Sequence, residues 1–225
     1  MHGLNSKYVV VPGWFPKDAG GGARASDIIS LKNYSQAEIY LMVGDTITAA
    51  MDVTLHQGTS VSSCATALPF EKYYQTGIML KYDGASSGFP AARGETATGA
   101  GTAVGTVYED KGGILVLYDH NVTAFVDNEV LTFSGGKTAV VDGVLYNEDI
   151  MVPTELAVAV NTFSITNIPD VNKIYCIPVN SKMLNQGMDC IEVNVSDPTL
   201  ALMAIWFILS EPRFMTNPPP TAIYD

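Results

Sequence analysis

Histidine and cysteine are scarce in this sequence, with three of each in 225 residues. No H-x-H, H-E-x-x-H or C-x-x-C spacing occurs, so zinc and cupin-type metal sites lack their ligand sets. The cysteines, Cys64, Cys176 and Cys190, are odd in number and cannot all pair within one chain; reduced thiols are the expectation. Basic residues are few as well. Twelve Lys and Arg stand against 23 Asp and Glu, a formal charge of −11, which repels a phosphate backbone, so no nucleic-acid partner is expected. No apolar run approaches the roughly 20 residues that cross a bilayer as a helix. The longest, Leu200–Leu209, has ten and reads as a buried element near the end of the chain. Residues Met1–Lys7 show no basic segment ahead of a long apolar core, so neither signal peptide nor membrane anchor is expected. Sustained helical periodicity and solenoid-length repeats are also missing.

What is present is apolar and alternating. Apolar residues make up 47% and charged residues 16%. That balance argues against disorder and exceeds what a lone monomer needs to bury; burial between subunits would use the surplus. In Ala37–Val43, Ile39, Leu41 and Val43 share one face while Glu38, Tyr40 and Met42 share the other. Met51, Val53 and Leu55 alternate with Asp52, Thr54 and His56, and Ile191, Val193 and Val195 repeat the pattern in Cys190–Val195. Period-two patterning marks half-buried antiparallel strands. Tyr8–Pro12, Leu68–Tyr74, Ile78–Tyr82, Thr162–Thr166 and Lys173–Val179 read as further strands, the first closed by its proline. Ser181–Gly187 reads as one helical turn followed by glycine. All-β, with two sheets packed face to face, is the economical architecture.

The middle differs in composition. Residues 83–105 are rich in Gly, Ala, Ser and Thr and read as a linker or long loop. Beyond them, Ile114–Tyr118, Val122–Val126, Glu129–Phe133, Ala139–Val141 and Val144–Tyr146 are short strand candidates. Asp142–Gly143 carries a type I′ hairpin signal, and Val152–Pro153 closes a small β meander.

The remaining chemical candidates are weak. Gly20–Gly22 lacks the spacing and the strand–helix context of a phosphate loop. His56 falls on a polar strand face, and His120 in an Asp-His-Asn turn. Cys64 has no nucleophile elbow around it and no histidine beside it. The carboxylate pairs Glu109–Asp110, Asp127 with Glu129, and Glu148–Asp149 could hold a cation or act on a sugar, but they match no calcium loop and fit solvated turns. No catalytic residue, metal or cofactor is expected.

Three patches resemble a family of tailed-bacteriophage virion structural proteins. They are Ile29–Ser35 leading into a strand; Val53–Gln57 with Ala67–Tyr74; and Gly187–Val195 followed by Ile208–Phe214 and Pro219–Asp225. The C-terminal patch is the most specific. The resemblance implies a capsid decoration (cement) protein on the virion surface, assembled in the host cytoplasm and without enzymatic activity. It implies a β-sandwich, jelly-roll-like core of residues 27–82 and 158–212, with an inserted β subdomain at 83–157. An N-terminal arm of residues 1–26 and a Pro-rich tail of residues 213–225 flank it. The implied partners are the major capsid protein and further copies of the chain, as a homotrimer, with no membrane. A host-surface glycan is a candidate ligand for the insertion. Expected interface residues are Trp14, Phe15, Trp206, Arg213, Phe214 and Tyr224. The alternatives are a head–tail connector or tail component, and a glycan-binding or glycan-degrading β domain.

Overall fold

A computed structural model describes residues 8–18, 22–44, 50–119, 121, 123–165, 173–196, 202–213 and 223–224. The described residues form strands, connecting loops and one 3-10 turn, Ser181–Met183; no α-helix is among them. The strands are β1 (Tyr8–Asp18), β2 (Arg24–Ala25), β3 (Ile29–Ser30), β4 (Tyr34–Gly44), β5 (Met51–Gly58), β6 (Thr66–Ala67), β7 (Phe70–Asp83), β8 (Thr96–Thr98) and β9 (Val104–Asp110). They continue as β10 (Ile114–Tyr118), β11 (Val130–Phe133), β12 (Thr138–Val160), β13 (Thr162–Ile165), β14 (Lys173–Asn180), β15 (Cys190–Val195), β16 (Leu202–Pro212) and β17 (Ile223–Tyr224).

The chain divides into two compact units. Unit 1 comprises residues 1–73 and 154–225, and unit 2 residues 74–153. The sequence places the insertion at 83–157. Both divisions fall inside long strands, β7 and β12, which composition alone does not mark.

Unit 1 is an antiparallel sandwich. One sheet runs β1-β16-β4-β14 and the other β13-β5-β15-β3-β17. Alternation in each strand sends one set of side chains into a shared core. Ile39, Leu41 and Val43 of β4 and Ile205, Phe207 and Leu209 of β16 meet Val53 and Leu55 of β5 and Ile191 and Val193 of β15 there. The described part of the Leu200–Leu209 run, from Leu202, lies in β16, paired with β1 on one side and β4 on the other.

Residues 8–12, read as a short strand within the expected N-terminal arm, do form a strand, and it runs on to residue 18 as β1. Val11 and Trp14 are buried while Tyr8 and Val10 are exposed, so the strand continues past Pro12 with its inward phase shifted by one residue. The proline does not close the strand; it coincides with a register shift between Pro12 and Trp14. β1 lies at the end of its sheet's order, the position where a residue without an N–H is tolerated.

Unit 2 orders its strands β7-β10-β9-β8-β11-β12 around a separate core that includes Leu80, Val107, Leu115, Leu117, Leu131 and Phe133. Of the two readings of the Gly/Ala/Ser/Thr-rich stretch, long loop fits residues 84–95 and 99–103 and linker does not. Ala91, Ala97 and Ala103 are buried in this core, and Thr96–Thr98 is a strand. The Asp142–Gly143 hairpin does not form, because β12 runs straight through it. A type I′ turn needs positive φ at both central residues, and only Gly143 has it, at 112°. Thr123–Val126 is not a strand, although Phe125 is buried; Val122 and His120 lie outside the described residues.

Asp110 organises one end of unit 2. Its carboxylate accepts from the Tyr82 hydroxyl at 2.8 Å, from the Ala91 amide at 2.8 Å and from the Gly112 amide at 2.9 Å. Glu95 accepts from the Ala92 amide and from Lys137 Nζ at 3.0 Å, and these bonds hold its carboxyl below the usual range. Two of the carboxylates read from sequence as solvated turn residues, Asp110 and Glu129, are hydrogen-bonded to backbone amides.

Candidate interaction surface

The two sheets of unit 1 turn outer faces of opposite character to solvent. On the β13-β5-β15 sheet the outward residues are polar and bonded to one another. Thr54 and Thr162 hydroxyls lie 3.0 Å apart, Asn194 Nδ2 stands 2.6 Å from His56 Nδ1, the Ser164 hydroxyl donates to Asp52, and the Asp52 amide donates to Ser196 Oγ. His56 is therefore one member of a cross-strand ladder.

The β1-β16-β4-β14 sheet turns an apolar face outward. Val10, Tyr40, Met42, Ile174, Trp206 and Ile208 line a depression of about 280 Å³. Register explains why they meet. Val10 is opposite Ile208, Trp206 opposite Tyr40, and Met42 opposite Ile174. Tyr40, Met42, Trp206 and Ile208 are each the outward residue between two inward core residues. Val10 is 54% exposed and Met42 44%. Phe15, 64% exposed, adds an edge-on contact to Trp206 at 6.1 Å.

Electrostatically this face is quiet. The Tyr40 hydroxyl donates to Glu38 Oε2 at 3.1 Å. Burial first, then the neighbouring Cys176 and Glu38, hold the Tyr40 phenol well above its ordinary range. Burial, reinforced by Glu38, pushes the Cys176 thiol up to about 11. Both groups stay neutral at physiological pH.

The expected interface residues separate. Phe15 and Trp206 come together at this face. Trp14 does not join them; at 6% exposure it belongs to the core of unit 1, because alternation from Val11 and the shift after Pro12 turn it inward. Arg213 is exposed elsewhere and anchors to backbone, its amide donating to the Asn33 carbonyl at 2.9 Å and its Nε to the Tyr34 carbonyl at 3.3 Å. Phe214 lies outside the described residues. Tyr224 is described through its backbone alone, opposite Ile29 in the β17–β3 pairing. Tyr40, Met42 and Ile174 were not singled out from sequence. The signal was an apolar residue at an outward strand position, but grouping such positions needs the cross-strand register.

Unit 1 also carries a groove of about 880 Å³, within the size range of small-ligand sites. Phe70, Leu156, Val179 and Met183 give it apolar walls, and Glu38, Glu71, Glu155 and Lys72 give it charge. Among the described residues, no three of His, Cys, Asp and Glu stand together as a metal-ligand set. No helix among them is long and apolar enough to cross a membrane.

No family model matches this chain, and no curated protein matches it. A solved structure described as "Structure of infectious bursal disease virus Gx strain" aligns with 97% of this chain and 43% of its own, at 5% identity and a TM-score of 0.09. This chain thus spans less than half of that one, and a likeness of that size carries no argument.

Proposed function

We propose that this chain is a non-enzymatic structural protein of a tailed-bacteriophage particle, binding the major capsid protein lattice as an oligomer and so decorating and stabilising the head. One observation carries the assembly part of this reading. The sandwich of unit 1 has a buried core between its sheets, yet the outer face of one sheet exposes Val10, Met42 and Phe15 beside Trp206. Singly exposed apolar residues are ordinary, but a contiguous apolar face rimmed by polar residues marks an association site. Covering it contributes about 25 cal/mol per Å² of apolar area removed from water, and repetition over a lattice multiplies weak contacts into stable attachment. The virion part rests on the resemblance of Ile29–Ser35, Val53–Gln57 with Ala67–Tyr74, and the C-terminal patch. A homotrimer on a local symmetry axis is the stoichiometry we adopt.

Particle reconstruction tests the proposal. The chain is expected in high copy on the head surface, and heads lacking it are expected to lose heat resistance. Its absence from particles, or heads equally stable without it, overturns the reading; a low-copy position at the neck points to a connector instead.

A further inference from the structure

We propose that Cys64 and Cys190 form a reversible intramolecular disulfide that closes when the protein meets an oxidising thiol–disulfide environment. All three cysteines are buried thiols outside any disulfide, and they are not equivalent. Cys176 sits on β14 opposite Tyr40. Cys64 and Cys190 belong to one small cluster with Ile28, separate from the main core.

Gly58 fixes how the pair meets. It ends β5, directly opposite Cys190 of β15. The Asp189 amide donates to the Gly58 carbonyl at 3.1 Å, which locks the register there. Residues opposite one another in an antiparallel pair direct their Cβ atoms to the same side, about 4.5–5.5 Å apart. At Gly58 that side has no side chain, and Cys64 fills the space. A Cβ built on Gly58 would first meet the Ser63 carbonyl oxygen and would lie 2.9 Å from both Cys64 Cα and Cys64 Sγ. The Ser63 amide donates to the Ser60 carbonyl, and Ser60 and Ser63 form a bridge, so a tight turn presses Cys64 over the glycine. Cys64 thus occupies the seat next to the Cys190 side chain. A disulfide needs Cβ atoms about 3.5–4.5 Å apart, and the shared cluster puts the two side chains side by side for it. A larger residue at position 58 would separate the two sulfurs.

The chemistry balances with a low-molecular-weight disulfide as the oxidant. The Cys64 thiolate attacks one sulfur of oxidised glutathione, forming a mixed disulfide and releasing one glutathione. The Cys190 thiol then gives up its proton, its sulfur attacks Cys64 Sγ, and the second glutathione leaves. Two protein thiols are oxidised, and one glutathione disulfide is reduced to two thiols. Cys64 is the entry point, because it keeps 8% exposure against 1% for Cys190 and the residues on either side of it are exposed. Cys190 is nearly fully buried, and its thiol donates to Asp189 Oδ1 at 3.0 Å. Burial, with Asp189 next, pushes that thiol up to about 12, so the second step is slow at neutral pH and quickens in mild alkali. In a reducing cytosol the pair stays open; outside it, the bond ties β15 to the segment joining β5 to β6.

The test uses the full-length protein, equilibrated with oxidised glutathione, denatured, alkylated and mapped by mass spectrometry. Alkylation is expected at Cys176 alone, with Cys64 and Cys190 peptides joined by a bond that dithiothreitol cleaves. Cys176→Ser should still close, and Cys64→Ser should leave two alkylated thiols. Should Cys64→Ser fail to fold, thiol mapping of the unmodified chain decides the matter by itself. Three alkylated thiols after oxidation, a stable glutathione adduct at Cys64, or pairing that involves Cys176 or a second chain would each overturn the proposal. The outcome does not depend on where the protein resides, so it can fail while the structural-protein reading stands.

Discussion

Trp206 of β16 stands directly opposite Tyr40 of β4, and both rings face away from the core of unit 1. Their inward neighbours, Ile205, Phe207, Ile39 and Leu41, are all but fully buried. The two sides of one ladder therefore answer to different demands, the inner to folding and the outer to association. Trp206→Asp puts a charge in the middle of the outer side. It is expected to change unfolding stability by about 1 kcal/mol, a half-buried surface value, while weakening self-association at least about tenfold, as loss of a central aromatic anchor does. Sedimentation velocity across a concentration series reads the second effect. Unchanged association with an intact fold would remove the outer face from the account.

Unit 2 has its own point of dependence. Asp110 receives the Tyr82 hydroxyl and two backbone amides, so Asp110→Ala strands three donors. The expected cost is about 2–4 kcal/mol, since hydrogen bonds to charged groups contribute about 1.5–3 kcal/mol and stranded donors add to the loss. Tyr82→Phe removes one donor and should cost about 1 kcal/mol. Urea unfolding of the two variants gives the comparison, and equal effects would refute the ranking.

Glu95 and Lys137 are both largely buried on their side chains, at 16% and 18% exposure, and pair at 3.0 Å. The Glu95 carboxyl is held low by the Ala92 amide first and Lys137 second. Its contribution is therefore full above the ordinary glutamate value and drains away as pH falls through the lowered one. Glu95→Gln should cost about 1–2 kcal/mol at neutral pH and leave the variant and the parent converging in acid. A gap that persists at low pH would contradict this.

Alkaline behaviour follows from two thiols together with the phenols of Tyr34, Tyr40, Tyr82 and Tyr118, which burial also raises. In the presence of reductant, Cys176 and Cys190 hold their protons up to about 11 and about 12, against an ordinary 9.0. Folded-state values above unfolded ones mean that stability is whole below pH 9 and is lost progressively as pH rises toward those values. Denaturant midpoints should fall through that window, and Cys176→Ala should flatten the fall. A flat profile in the parent would show that these thiols do not couple to unfolding.

Much of the fold could be read from alternation. β10 and β15 match the expected Ile114–Tyr118 and Cys190–Val195, and β5 reaches one residue beyond its expected run. The inward sets on β4, β5 and β15 are those that their period-two patterns place on one face. Sequence and structure differ where a punctuating residue interrupts the pattern. Pro12 and Gly143 suggested chain breaks in strands that continue, the first at a sheet end and the second by taking a positive φ within β12. Buried alanines at 91, 97 and 103 looked like linker because small residues are equally at home in a tightly packed core. The candidate surface was only half visible. Phe15 and Trp206 stand out as aromatics, but their neighbours Val10, Met42 and Ile174 come from three strands distant in sequence.

The prolines of β1 bear on what kind of assembly is open to this chain. Pro12 and Pro16 have no N–H to offer a further strand, and the register shift after Pro12 disturbs the rim of the sheet. Growth by adding strands side by side, the route to fibrils, is blunted at that edge. A concentrated preparation is thereby steered toward contacts broadside to the sheet, which can close on themselves and stop at a fixed size.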